Sequence, residues 1–412
     1  MEDKFHMKKY SPLIALTLLA SCIALAPLRA NAQDAQNAQN AQDAFEREWY
    51  DTCYMKKPID GEKCYQQSKE LLEKFSATKY RPNAEKNIKS YERNKASEKF
   101  QAAVDAYYKP PQDAAKLEAI FAAGEGYLQV EPDRQSPSHL YVLGQMALIG
   151  HQASLGRTYD KLDKVKDYVD RAMKAFGSAQ ASENTKKDFD QYVVPLKDLL
   201  QANGNQFLGF RLIETKGDQN QALDYLGQAI QVKGKDVGWK DPINYWLRSI
   251  IYNNQYTELR KQYDSLPDDA AKTGDAGKEI LKKVNDLLDG KLVPEYARVL
   301  ATANKPDTKN IYDAAKQPFD QLWEYRTGAK EKATEYIKNY ADDPTINSVP
   351  IPAKPADASN LNALDLKTGP ADVKLPTGKP AAAPGSKAPA NGNSAKSTPA
   401  KGKPKPKSRK RG

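Results

Sequence analysis

Apolar residues between Phe45 and Tyr340 recur at intervals of three and four, which is the spacing of a helix that buries one face. Clear examples run from Leu117 to Leu128 and from Phe319 to Tyr336. No stretch alternates apolar and polar residues in the way that a half-buried strand does. The pattern therefore predicts an all-α body.

Proline and glycine residues predict where the helices of this body end. Such breaks occur at Pro110-Pro111, Pro132, Gly156, Gly177, Gly217, Gly234, Pro267 and Pro306. The segments between them have ordinary helix lengths and short connections. This arrangement is typical of stacked helical hairpins.

The clearest predicted hairpin runs from Phe207 to Gly234, with Gly217-Asp218 as its turn. After the turn, a small, a large and a small residue follow at intervals of four and three: Ala222, Leu226 and Ala229. This stretch resembles the second helix of a tetratricopeptide repeat. The first helix carries Leu208-Gly209, one residue further from the turn than in the family.

Weaker versions of the same pattern lie on both sides of that hairpin. Leu143-Gly144 matches a first helix, and a second helix follows after an insertion around residues 156–162. The matching positions Ala172, Ala229 and Leu266 are 57 and 37 residues apart, which excludes a regular array of about 34-residue repeats. The resemblance covers residues 137–267 and implies an irregular tetratricopeptide-like α-solenoid over residues 45–341.

In the tetratricopeptide family, the first helix of each repeat lines a concave surface that binds peptides. On the predicted repeat at residues 243–267, the matching inward positions are Asn244, Arg248 and Tyr252. The resemblance implies a peptide-binding stripe that could hold a carboxylate or a main-chain amide. The alternative is an ordinary exposed helix face.

The N-terminal segment has the features of an export signal. Lys8 and Lys9 precede an apolar run over residues 12–28. Two processing sites follow: Leu19 to Cys22 reads as a lipobox, and Ala30 to Ala32 reads as a secretory cleavage site. The apolar run continues past Cys22, which favours a signal peptide over residues 1–32. Lipidation at Cys22 and an uncleaved anchor are the alternatives.

The remaining cysteines, Cys53 and Cys64, are predicted to form a disulfide, since an even pair in an exported chain is usually bonded. Pro58, Asp60 and Gly61 between them suit a turn, and closing this loop would contribute about 2–3 kcal/mol. The alternative is two reduced cysteines packed in a helical hairpin. Export and a disulfide together predict an extracytoplasmic, periplasmic protein or a membrane-anchored lipoprotein.

Composition predicts unstructured segments at both ends of the body. Residues 33–44 repeat a Gln-Asx-Ala triplet and form a low-complexity spacer. Residues 342–412 hold 12 of the 26 prolines and form a predicted disordered tail. Residues 373–412 carry 11 Lys and Arg and no acid, so the net charge of +10 belongs largely to this tail. It could bind anionic lipid, cell wall or nucleic acid, or act only as a solvated spacer.

The sequence contains no recognisable catalytic motif or phosphate-binding loop. His139 and His151 are twelve residues apart on one predicted helix, too far to share a metal ion, and are expected to cap its ends. We therefore expect no enzyme activity, no metal and no cofactor. The leading hypothesis is an exported scaffold that binds envelope proteins or peptides; the alternative is a polymer tether that acts through the basic tail, without specific recognition of nucleic acid.

Overall fold

The computed structural model of the chain describes residues 34, 36–234, 237–328 and 331–351. Over these ranges every regular element is a helix, which confirms the all-α prediction. None of the described helices is long and apolar enough to cross a bilayer. The predicted signal peptide, with Cys22, and the basic residues 373–412 lie outside the described part of the chain.

The chain divides into two units between Lys95 and Ala96. The first unit contains helix α1 over residues 36–50, a π-helical turn at Asp51–Met55, helix α2 (Gly61–Lys74) and the first half of helix α3 (Arg81–Tyr107). Its core consists of Trp49, Cys53, Cys64, Leu71 and Ala84.

A disulfide between Cys53 and Cys64 joins the π-helical turn to the start of α2, which confirms the predicted pair. The Cα atoms of the two cysteines are 5.1 Å apart. Both residues are buried beside Trp49, whose indole Nε1 donates a hydrogen bond to the Ser68 hydroxyl at 2.8 Å. Disulfides persist in oxidising compartments, and this bond agrees with the predicted export.

The described part of the Gln-Asx-Ala spacer is helical, whereas an unstructured segment was expected. Residues 36–44 continue directly into the rest of α1. Side-chain amides bond to acceptors one turn later, as in Gln36 to Asn40 at 3.2 Å and Gln39 to Asp43 at 3.1 Å. The triplet places these i,i+4 partners on one face of the helix. It also places alanine, the best helix former, at every third position.

The second unit contains the rest of α3 and ten further numbered helices. These are α4 (Ala114–Val130), α5 (Pro137–Leu155), α6 (Leu162–Ser178), α7 (Val194–Glu214), α8 (Gln219–Gln231), α9 (Pro242–Asp264), α10 (Asp275–Leu287), α11 (Val293–Thr302), α12 (Lys309–Thr327) and α13 (Ala333–Lys338). Shorter helical turns lie at Lys186–Asp188, Phe189–Val193, Gly238–Lys240, Asp269–Thr273, Leu288–Leu292 and Pro306–Thr308. Each predicted proline or glycine break lies within three residues of the end of a helix.

Helices α5, α7, α9 and α11 pack against one another in succession and form an inner row. Each of them also packs against the helix that follows it in the chain: α6, α8, α10 or α12. This repetition confirms the stacked hairpins. The inner helices are the most buried, and α5 has almost no exposed residue along its length.

One predicted repeat differs from the structure. Residues 243–267 were expected to form a further repeat, but α9 is a single continuous helix from Pro242 to Asp264. The reason is local, since this stretch contains no glycine or proline until Pro267. The hairpin partner of α9 is therefore α10.

The hairpin of α7 and α8 shows why small residues recur in the pattern. Ala222, Leu226 and Ala229 are all buried on α8, as predicted. Asp218 caps α8 by accepting hydrogen bonds from the main-chain N–H groups of the next turn. A Cβ atom at Gly209 of α7 would lie 2.7 Å from the Leu226 side chain, so the glycine sets the distance between the helices.

We predict that Gly209→Ala destabilises the second unit by about 1 kcal/mol, because overpacking against Leu226 outweighs the gain in helix propensity. The matched control is Gly227→Ala on α8, where an added Cβ meets nothing within 4 Å. That change should stabilise the protein by about 0.5–1 kcal/mol. Chemical denaturation of both variants measures the difference, and equal effects of the two substitutions would contradict the close-approach argument.

Candidate functional site

The predicted peptide-binding stripe does not form an exposed face. Asn244 is 1% exposed and Tyr252 is 6% exposed, because α9 lies in the inner row between α7 and α11. Arg248 keeps part of its side chain accessible. All three residues are on one side of α9, but they face protein rather than solvent.

Asn244 belongs to a buried hydrogen-bond network instead. Its side-chain amide donates to the Gly238 carbonyl, and its Oδ1 accepts from Gln206 Nε2, both at 2.9 Å. The same Gln206 nitrogen donates to Asp241 Oδ2 at 2.8 Å. The polar groups of Asn244 are thus used to join α9 to α7 and to the turn before α9.

The network extends to His151 on α5, whose Nε2 lies 2.9 Å from Gln206 Oε1. Since the Gln206 nitrogen donates both of its hydrogens, its oxygen is the acceptor and His151 Nε2 carries the proton. Burial lowers the pKa of His151 to about 4, although the bond to Gln206 acts in the opposite direction. His151 is therefore a neutral link between inner helices and not the predicted helix cap.

His139, by contrast, lies in the first turn of α5 as expected. Its main-chain N–H donates to the Ser136 hydroxyl, which caps the helix, and its ring Nδ1 is 3.0 Å from the Glu131 carbonyl oxygen. Burial lowers the pKa of His139 as well. The described residues contain no group of histidine, cysteine and acidic side chains arranged to hold a metal ion.

A second buried cluster contains two arginines that share one carboxylate. Glu295 Oε1 lies 3.0 Å from a guanidinium nitrogen of Arg248 on α9 and 3.0 Å from one of Arg298 on α11. Glu295 is 1% exposed, and its other oxygen has no hydrogen-bond partner in the described part of the chain. Burial alone would lower the pKa of Arg248, but the Glu295 carboxylate, together with Tyr252 and Tyr245, outweighs burial and raises that pKa. The cluster keeps a net charge of about +1 in the interior.

Arg298 uses its remaining donors to hold the chain that follows α13. We call residues 342–351 the strap. Arg298 Nε donates to the carbonyl oxygen of Pro344 at 2.8 Å, and a terminal nitrogen donates to that of Ile346 at 2.9 Å. The Tyr340 ring lies 4.9 Å from the Arg298 guanidinium carbon. One arginine fork therefore binds two main-chain carbonyls of a non-helical segment.

Further contacts attach the second half of the strap. The Val349 N–H donates to the Tyr340 hydroxyl at 2.9 Å, and the Tyr336 hydroxyl donates to the Val349 carbonyl at 3.0 Å. Ser348 donates from its hydroxyl to the Gly290 carbonyl at 2.8 Å. Val349 and Ile351 pack against the core of the second unit.

The strap corrects the predicted boundary of the tail at residue 342, since residues 342–351 are bound to the helical body. The sequence carries a weak signal for this, because Ile346, Val349 and Ile351 interrupt an otherwise polar and proline-rich region. The partner on the body, Arg298, could not be identified from spacing, since it lies 46 residues before the carbonyl that it binds.

Comparison with family models, with curated proteins and with solved structures gives no match to this chain. Its functional interpretation therefore rests on the residues described above.

We predict that His151 makes stability fall with acid. The folded state binds a proton at His151 less readily than the unfolded chain, so its stabilising contribution is complete above pH 6.5 and is lost as the pH falls towards about 4. For a shift of this size the loss approaches about 3 kcal/mol. Unfolding free energies at pH 7 and pH 4.5 for the parent and for His151→Asn measure it.

The parent and His151→Asn differ in how much their unfolding free energies change with pH. This difference isolates the contribution of His151, because Asp241 titrates in both proteins. Burial raises the pKa of Asp241. Protonation of Asp241 therefore adds to the stability of the folded state as the pH falls, which is opposite to the effect of His151. The variant should start less stable at pH 7 and lose less on acidification. Parallel pH curves for parent and variant would show that His151 is not buried in its neutral form.

Proposed function

We propose that the protein is a non-catalytic, exported scaffold whose helical body binds non-helical segments of other proteins through their main chain. The observation that carries this proposal is the pair of hydrogen bonds from Arg298 to the strap carbonyls of Pro344 and Ile346. We call the surface formed by Gly290, Arg298, Tyr336 and Tyr340 the strap groove. The strap is the chain's own example of the ligand that we propose.

The chemistry of the strap groove supports binding of varied sequences. Four of its five hydrogen bonds to the strap reach main-chain atoms, which every peptide provides. Main-chain bonds supply affinity in such complexes, while pockets for particular side chains supply selectivity. Here the half-buried Val349 and Ile351 indicate a preference for two apolar side chains separated by one residue.

The proposed setting is the bacterial periplasm, with a membrane-anchored lipoprotein as the alternative. The disulfide supports an oxidising compartment, and the N-terminal sequence supports export. The stacked hairpins support kinship with tetratricopeptide-like solenoids, whose repeats commonly present binding surfaces. The proposed partners are other envelope proteins or peptides.

A peptide-binding experiment tests the proposal. A chain that ends at Ala341 leaves the strap groove empty, and a fluorescent peptide with the sequence of residues 342–351 is added to it. We expect the peptide to bind the shortened chain at least ten times more tightly than the full chain, whose own strap competes. In the shortened chain, Arg298→Lys should weaken binding about tenfold, because lysine keeps the charge but loses the planar fork.

The matched control is Arg260→Lys on α9, which makes the same change outside the strap groove and should leave the affinity unchanged. Circular dichroism establishes that each shortened chain is folded. A folded shortened chain that does not bind the peptide would contradict the proposal. A shortened chain that unfolds would also contradict it, because the strap would then be a structural part of the body.

The charge of the C-terminal residues favours a second candidate function, a tether to anionic polymers. Residues 373–412 carry 11 Lys and Arg and no acid, and such a segment attracts anionic lipid or cell-wall polymer. We predict that the full chain binds anionic vesicles with an affinity that falls as salt rises. Deleting residues 373–412 should abolish this binding and leave peptide binding intact. Vesicle binding that persists after the deletion would show that another part of the chain binds the vesicles.

A further inference from the structure

A cavity of about 580 Å³ opens where the C-terminal end of α4, the start of α5 and the second half of α6 meet. It is lined by other residues than the strap groove and plays no part in the proposed peptide binding. Its volume lies within the range of about 300–1,000 Å³ that is usual for small-molecule sites.

The cavity combines an apolar wall with a cationic rim. Leu128 of α4, Leu143 of α5 and Ala175 of α6 supply the apolar surface. Arg134, from the loop between α4 and α5, and Lys174, from α6, stand at the rim. A ligand that fits this lining has an apolar body and a polar head.

The charged residues that line the cavity determine whether the polar head of the ligand is an anion or a cation. Glu125 and Arg171 also line the cavity. Glu125 binds the Arg171 guanidinium at 2.6 Å and Asp167 binds it at 3.2 Å, so these three groups together carry a net charge of about −1. Arg134 and Lys174 are exposed, and within the described residues their side chains have no hydrogen-bond or ion-pair partner. Arg134 and Lys174 therefore leave the opening with a net positive charge of about +1 after the excess carboxylate beside Arg171 is counted.

We infer that this cavity binds a small amphipathic anion, with a carboxylate or phosphate head between Arg134 and Lys174 and an apolar body against Leu128, Leu143 and Ala175. The guanidinium fork of Arg134 can bind either head through two parallel hydrogen bonds, and the Lys174 ammonium adds a mobile charge. The apolar wall gains free energy only from a ligand that carries hydrocarbon.

Isothermal titration calorimetry of the full chain with octanoate and with octyl phosphate tests the inference. At least one of the two should bind, and the tighter one identifies the preferred head. Arg134→Ala combined with Lys174→Ala should weaken that binding at least tenfold. Ala175→Phe should also weaken it at least tenfold, because the added ring fills the apolar part of the cavity while both charges remain.

The matched control combines Lys278→Ala with Lys282→Ala, which removes two exposed cations from α10 and should leave the affinity unchanged. Octylammonium should not bind, and inorganic phosphate should bind at least ten times more weakly than octyl phosphate. The inference is overturned if neither anion binds, if octylammonium binds as tightly as octanoate, or if the rim variant and its control behave alike. Equal binding of inorganic and octyl phosphate would overturn the amphipathic assignment.

Discussion

The C-terminal half of the helical body depends on the ion pairs that the Glu295 carboxylate forms with Arg248 and Arg298. The carboxylate lies between the guanidinium groups of Arg248 and Arg298 and so joins α9 to α11. Removing one member of a buried ion cluster leaves uncompensated charge and typically costs about 3–5 kcal/mol. The same carboxylate orients Arg298, which in turn binds the strap. Packing of the inner helices and recognition of the strap are thus two consequences of one buried cluster.

The inner row is also held together by polar groups earlier in the chain. His151, Gln206 and Asn244 belong to three successive inner helices and form a continuous series of hydrogen bonds. Each buried polar group in such a series must find its partner, since an unpaired one costs about 1–3 kcal/mol. The series therefore fixes the register of α5, α7 and α9, where apolar packing alone would tolerate small shifts.

Local chemistry explains which features were predictable from the sequence. Breaks such as Pro132 and Gly217, the buried positions Ala222 and Leu226, and the cysteine pair all depend on neighbouring residues. The burial of Asn244 was not predictable, because it depends on the helices that flank α9. The strap was assigned to a disordered tail for the same reason: its proline-rich composition is local, whereas its contact with Arg298 joins residues 46 positions apart.

If the strap occupies a binding groove, it can leave that groove while the helical body remains folded. Native-state hydrogen exchange of the Val349 amide, which donates to the Tyr340 hydroxyl, measures this release of the strap. We expect this amide to exchange through local opening, at a free energy well below that of the α11 amides. In Arg298→Lys, Val349 alone should lose further protection. Exchange of Val349 only on global unfolding, with the same free energy as α11, would show that the strap is a structural part of the body and not a displaceable ligand.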